Sequence, residues 1–390
     1  VLLTSTLNAA TEIFVNINTQ QYTTEKTDAL ISLGQLTATF PNVRKIHLDI
    51  GWYVNSLNCS QALIQPGVTS LSLDTNPYEW QVAGTSRVDA YLISQSAGLP
   101  AFRGTPADQA LLNFLLEASA MGIDVAIYLI LIPDIPMNNS LLNPYSNNGT
   151  AVGQDVYPQG SLVTVSPAQG YTGTAWGTSE ADTQVSAFFG TETAQSYTCT
   201  FSTAGVLTSV YNNPVLAYSY SNFVIYYASL IASFVSTFSS VTVTDFIIGK
   251  NLVGLTSSQG ASGNYQAVNE LASLAEEVAG MFKNFDISIS YSADWNEWQG
   301  TQNETSISLT APATRIFNMD PLWSSPYISY ISICATFPVT DWRNFGNNLD
   351  GLYYPSSTTQ PYVVEGLLGQ QYYDYFYASS ADRLNQVRTN

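Results

Sequence analysis

The run from Ile123 to Ile132, IDVAIYLILI, constrains this chain more than any other stretch. It is almost continuously apolar, yet far shorter than the roughly 20 residues a membrane helix needs. Strands buried on both faces, as in parallel sheets, read this way. The segment before it, 105–122, reads as a helix, with Thr105 as cap, Pro106 in the first turn and Gly122 as stop. A helix that feeds straight into a doubly buried strand is a unit of an α/β fold with a parallel sheet.

The alternation recurs. Strands are expected at 44–53, 86–94, 243–249, 286–294, 313–320 and 327–336, and helices at 220–238, 265–285 and 371–388. Between Pro133 and Pro214 the pattern dissolves into Asn, Gly, Ser, Thr and Pro. That stretch reads as an insertion, 137–214, with little regular structure beyond a short helix at 180–190. The expected fold is a (β/α)8 TIM-barrel-like domain over 41–390, incomplete or atypically closed. It carries the long insertion after its third strand and follows an N-terminal extension, 1–40. A doubly wound sheet would call for a Gly-rich phosphate turn after the first strand, and the sequence shows none.

Hydrophobic residues make up 45% of the 390, enough for a large core. The net charge of −18, from 29 acids against 11 bases, repels nucleic acid and anionic membrane, so neither is expected as a partner. No apolar run approaches about 18 residues uninterrupted, so no membrane insertion is expected. Cys59, Cys199 and Cys334 lack metal spacing, and a Cys59–Cys199 bridge stays open. His47 is the only histidine, which argues against a His-based metal site or a Ser-His-Asp triad. No metal or other cofactor is expected. A start at Val1 instead of Met fits a processed product or a segment of something longer.

The stretch 291–300, YSADWNEWQG, is the richest in potential chemistry. Asp294 and Glu297 lie just past a strand end beside Trp295 and Trp298. Indole faces stack on sugar rings, and a carboxyl against indole can hold its proton to a higher pH. The bland alternative is a loop whose tryptophans pack and whose acids cap the next helix. Asp134, between Pro133 and Pro136, and Asp320, before Pro321, also follow expected strands, although both positions suit rigid turns. Asp341 and Trp342 form a weaker pair of the same kind.

Taken in order, several stretches carry a resemblance. They are PGVTSLS (66–72), RGTPADQALLNFLLEASAMGIDVAIYLILIPDIP (103–136), VSAFFG (185–190), NFVIYYASL (222–230) and DFIIGKNLVGLT (245–256), then YSADWNEWQG, NMDPLW (318–323), FPVTDWR (337–343) and YYDYFYASSADRLNQVRT (372–389). The combination resembles the TIM-barrel, glycoside-hydrolase-like domain of gene transfer agent and phage tail proteins, the tail-tip or baseplate hub chains. The resemblance implies a place in a virion, tail particle or extracellular setting. It implies partners among other particle subunits, copies of the chain itself, or cell-surface glycan. It also implies a glycan cleft whose binding residues would be Trp52, Asp134, Asn251, Trp295, Trp298 and Asp320, with Glu297 and Asp294 as the candidate catalytic carboxyls.

The departures are as informative. Where the family reads Gly-Ser-Glu-Leu, this chain has Gly249-Lys250-Asn251-Leu252, an amide in place of the acid. Trp52-Tyr53-Val54-Asn55-Ser56 stands for Trp-Phe-Gly-Asp-Asp, and Ile333-Cys334-Ala335-Thr336 for Ile-Asp-Asn-Tyr. Tyr226, Thr301 and Asn318 stand at family histidines. In the family a further glutamate-bearing strand follows the region that here ends at Asn390. A barrel completed by a neighbour, or capped by residues such as EIFVNIN (12–18), is therefore expected, with the chain working in an assembly. The first expectation is an inactive structural or glycan-contacting domain. The alternatives are a working glycoside hydrolase, using Glu297 with Asp294 or Asp320, and an extracellular structural or filament-forming protein.

Overall fold

The computed structural model describes residues 28–73, 75, 78–212, 218–302, 315–334, 340–343, 348–369 and 375–389. The suggested closing segment 12–18 lies outside the described residues. The chain divides into two compact units, Val1–Cys334 and Ala335–Asn390.

Five parallel strands form the sheet of the first unit: β1 (Lys45–Val54), β2 (Asp124–Pro133), β3 (Val243–Lys250), β4 (Ser288–Asp294) and β5 (Ser332–Cys334). They lie side by side in chain order, and the two-residue strand Ile64–Gln65 pairs antiparallel on the outer side of β1. A doubly wound sheet would reverse its order about an early strand. Strict chain order with helices between strands is the barrel arrangement, and the fold is TIM-barrel-like. Among the described residues the ladder does not close.

The pleat gives the sheet two unlike faces. Leu48, Ile50 and Trp52 of β1, Ile127 and Leu129 of β2, Phe246 and Ile248 of β3, and Tyr291 of β4 are buried on one. That face meets α4 (Tyr220–Thr237) and α6 (Gln266–Phe282): Trp52 stacks on Phe223 at 5.0 Å, and Phe246 meets Phe282 at 5.3 Å. The other face is mixed, with polar groups set beside Ala126, Ile130 and Ile247. His47 stacks on Tyr128 at 5.8 Å, the Tyr128 hydroxyl bonds Ser292, and the Lys250 ammonium stands 5.6 Å from the Tyr128 ring centre.

Helix α4 is buried almost all round over its first three turns, and Ser219 caps it by accepting from Asn222 N–H at 3.2 Å. A hairpin, Tyr197–Phe201 with Leu207–Asn212, covers it, with Phe201 against Phe234 at 5.2 Å. This hairpin corrects the expectation that the insertion holds little regular structure. The expected short helix is there as α3 (Ser179–Phe189). No helix among the described residues is long and apolar enough to cross a membrane.

Other expectations also change. The segment 86–94 is not a sheet strand. It forms a 3-10 turn, Arg87–Asp89, and a two-residue strand, Tyr91–Leu92, beside Gly67–Val68. Its apolar Val88 and Leu92 face solvent, because the segment pairs only with the short Gly67–Val68 and lies outside the main sheet. The insertion therefore follows the second strand of the sheet, not the third. Thr105 does not cap α2 (Asp108–Ala120). It is buried three residues earlier, where its hydroxyl donates to Gly51 C=O at 2.8 Å and accepts from Gly67 N–H at 3.0 Å. Over 313–320 only Arg315–Ile316 is described as strand, and it pairs antiparallel with Thr301–Gln302 outside the main sheet.

In the second unit, the described part of 371–388 is helical only at Ser380–Asn385, with Ser379 as cap. Asp341 holds that unit together instead of serving a cleft. It accepts from Tyr375 at 2.9 Å, from Tyr377, from Arg388 at 3.0 Å and from Arg343 at 3.3 Å. Burial opposes its charge, but these donors together hold its carboxyl below the usual range. Arg388 also reaches Asp350 at 2.8 Å and lies 4.1 Å over the Tyr375 ring.

Gly254 lets the insertion dock on the strand ends. A Cβ there would stand 2.4 Å from Val163 C=O and 2.8 Å from Ser161 C=O, both backbone atoms with little room to move. Gly254→Ala should therefore destabilise the protein by about 1–3 kcal/mol, read as a lower denaturant midpoint with unchanged slope. An unchanged midpoint would show that the insertion shifts freely.

Candidate functional site

The carboxyl ends of β3 and β4 lie side by side, and the turns after them hold most of the candidate residues. After β3, Asn251 takes a left-handed conformation, φ +50°, which is strained for a residue with a side chain. Its N–H donates to Ser292 C=O at 3.0 Å, and its buried Oδ1 has no hydrogen-bond partner among the described residues. The chain then enters the short helix α5 (Val253–Thr256).

After β4, the chain turns tightly: Glu297 N–H and Trp298 N–H both donate to Asp294 C=O, at 3.0 and 3.2 Å. This turn folds the Glu297 side chain back beneath the strand end, where it is 1% exposed. Its Oε2 accepts from Asp294 N–H at 2.8 Å. Its Oε1 accepts from Tyr291 at 2.9 Å and from Thr256 Oγ1 at 2.5 Å. Tyr291 lies on the helix-facing side of β4, so the carboxyl points into the layer between sheet and helices, not onto the inner face. Burial is the main cause that pushes its pKa up to about 7. Bonds from Thr256, the Asp294 N–H and Tyr291 pull the other way, and the Asp294 charge adds to the rise.

The other candidates sit as follows. Asp294 is half-buried, and its Oδ1 accepts from Asn296 N–H at 3.2 Å. Trp295 is 36% exposed. Trp298 is half-buried against the core, and its C=O accepts from Trp323 Nε1 at 3.0 Å. Asp320 is exposed at the start of the four-residue helix Asp320–Trp323. Trp52 is fully buried on the helix side, where its Nε1–H donates to Tyr227 at 3.2 Å. Asp134 is buried, and it accepts from Ser94 N–H at 2.7 Å, Ser94 Oγ at 2.5 Å and Tyr91 at 3.0 Å. These bonds tether the 91–94 segment to the end of β2. The structure thus brings together Asn251, Asp294, Trp295, Glu297 and Trp298. Trp52 and Asp134 are used up in packing and tethering.

Sequence reasoning passed over several partners. Thr256 and Tyr291 are as much part of the Glu297 setting as the tryptophans. Thr256 is itself positioned by Asn318, which donates to its C=O at 2.7 Å. Asp49, on the inner face, has a raised pKa through burial, partly offset by the neighbouring Lys250 ammonium. The alternation in KIHLDI already set His47 and Asp49 on one face. Cys59 and Cys199 are free, not bridged, and burial pushes each thiol up to about 12. Among the described residues no three His, Cys, Asp or Glu gather to hold a metal.

Residues 218–390 match the family model of the GTA TIM-barrel-like domain, where the resemblance read from the residues is borne out. No curated protein matches. Two solved structures titled as a GH113 beta-1,4-mannanase and its complex are similar at 10% identity. The first has a TM-score of 0.36 over 85% of this chain and 63% of that one. The second has 0.35 over 91% and 69%. The chain thus spans under two thirds of the first mannanase.

Tyr291 links two groups: it accepts from Leu252 N–H at 2.7 Å while donating to Glu297. Tyr291→Phe orphans that buried N–H and should lower stability by about 1–3 kcal/mol. Trp295→Ala, at an exposed position, should change it by no more than about 0.5 kcal/mol. Equal effects in denaturant melts would contradict this placement.

Proposed function

We propose that this chain, whose residues 218–390 match the GTA TIM-barrel-like domain, is a glycoside-hydrolase-derived barrel kept for structure. It serves in the assembly of a tail-like or gene-transfer-agent-like particle, or in that particle's contact with host-surface glycan, and does not hydrolyse it. The observation that carries this reading is the state of Glu297. Among the described residues, the one carboxyl buried at the ends of β3 and β4 has both oxygens occupied by three internal donors and faces the helix layer. A general acid must reach a leaving-group oxygen, and this one has no open side to present. At the neighbouring strand end, where the resemblance calls for an acid, stands Asn251. An amide cannot donate a proton at useful strength.

The exposed Trp295 beside the half-buried Asp294 supports glycan contact, since an indole face and a carboxylate suit a sugar ring and its hydroxyls. The second reading, a working hydrolase, draws on the same carboxyl: a pKa of about 7 is what general acid catalysis favours.

Turnover assays on peptidoglycan and on common β-glycans separate the two. The expected result is no hydrolysis by the unmodified chain and none by Asn251→Glu. General acid catalysis supplies about 10²–10⁴-fold, and that variant restores only one carboxyl of the two a glycosidase needs. Turnover by the unmodified chain that Glu297→Gln abolishes would overturn the proposal.

A further inference from the structure

Two carboxyl groups lie in the layer between the sheet and the helices, and no ion pair reaches either among the described residues. Glu297 is one. The other is Asp108, the first residue of α2, 1% exposed. Its Oδ2 accepts from Tyr226 of α4 at 2.5 Å and from Ala83 N–H at 3.1 Å, while Oδ1 has no hydrogen-bond partner among the described residues. The ionisable groups facing Asp108 are Tyr226 and Tyr227 from α4, with Tyr197 and Cys199 from the hairpin. Those facing Glu297 are Tyr291 of β4, Tyr220 at the start of α4, and Asp294. None of these groups is a base. An anion buried without a counter-ion is costly, and the group keeps its proton instead.

We propose that the docking of α4 and α5 is a proton-dependent latch: neutral Asp108, bonded to Tyr226 of α4, and neutral Glu297, bonded to Thr256 of α5 and Tyr291 of β4, hold the two helices against the sheet, and ionisation of the two carboxyls loosens them. The geometry accommodates the neutral forms. A proton on Glu297 Oε1 can be donated to Thr256 Oγ1, whose own hydroxyl then turns to Leu252 C=O at 3.3 Å. Tyr291 completes the loop by accepting from Leu252 N–H and donating to the carboxyl. The unpartnered Asp108 Oδ1 is the oxygen free to carry the other proton.

Burial pushes both groups up to about 7, from ordinary values of 3.8 for Asp108 and 4.5 for Glu297. Each therefore holds a proton in the folded state that the unfolded chain has already released. The stabilisation is fully present below the unfolded values and is lost as pH rises towards about 7. The domain is thus built to be firmest in mildly acidic surroundings. The net charge of −18 points the same way, since partial protonation of the surface acids relieves self-repulsion.

The test is denaturant unfolding of the full chain at about pH 5 and about pH 8.5, for the unmodified protein, Asp108→Asn, Glu297→Gln and the double variant. Between about pH 5 and about pH 7 each group contributes up to about a hundredfold, so the two together should lower the folding constant by about 10³–10⁴-fold across the range tested. The double variant should lose that dependence and keep only the part due to surface repulsion. Amide exchange in α4 should quicken with pH, beyond its intrinsic rise, in the unmodified protein alone. Equal stability of the unmodified protein at both pH values, or a double variant with the full dependence, would overturn the latch. Should the variants fail to fold, difference infrared spectra of the unmodified protein decide. Protonated-carboxyl bands lost between the two conditions support it, and carboxylates already ionised at the lower pH refute it.

Discussion

The parallel register between β1 and β2 is the constraint on which the rest depends. The two strands pair without a break from Lys45 opposite Asp124 to Val54 opposite Pro133. Because side chains alternate, a slip of one residue would turn every one of them to the other face. The observed register puts Leu48, Ile50 and Trp52 under α4 and leaves His47, Asp49 and Tyr128 on the inner face. It also sets the strand ends level, so that Asp134 N–H can donate to Val54 C=O and the turns beyond can reach each other. The next strands are added to this pair, and Glu297 and Asn251 inherit their positions from it.

A second regularity runs through the molecule: tyrosines do for the acids what lysines and arginines usually do. Tyr91 donates to Asp134, Tyr226 to Asp108, Tyr291 to Glu297, Tyr330 to Asp245, and Tyr362 to Asp350. With 25 tyrosines and only 11 lysines and arginines, this is the donor the chain has to hand. A hydroxyl satisfies a carboxyl oxygen without supplying charge. Where a base is also present, as at Asp245 with Lys45 or Asp341 with Arg388, the acid is held below its usual range. Where only neutral donors are present and burial is complete, as at Asp108 and Glu297, burial wins and the acid is pushed up. One residue type thus gives opposite outcomes, according to whether a cation stands beside it.

The candidate site was legible in part. The turn 294–300 after a strand, with its carboxyls and indoles, could be read from the residues, and so could Asn251 at the neighbouring strand end. Where each side chain points could not. The resemblance put Trp52 in the cleft, but its position in the alternation turns it into α4. Asp134 looked like a catalytic-face acid, but the 91–94 segment comes back to bond it. That segment alternates well enough to pass for a strand of the sheet. It pairs with the short Gly67–Val68 instead of joining the main sheet, and nothing local records this.

Taken alone, the sequence determined the α/β class, the five main strands to within a few residues at most ends, the long buried helix over 220–237 and the acidic character of the chain. These follow from periodicity and composition, which act over a few residues at a time. Tertiary structure alone decided that Glu297 turns inward to Thr256, 41 positions earlier in the chain, and that Asp108 meets Tyr226, 118 positions later. It also decided that the 137–214 insertion folds a hairpin over α4. The physical reason is that a buried carboxyl must find donors wherever the packed chain brings them, and those contacts are fixed by strand register and helix docking, not by neighbouring residues.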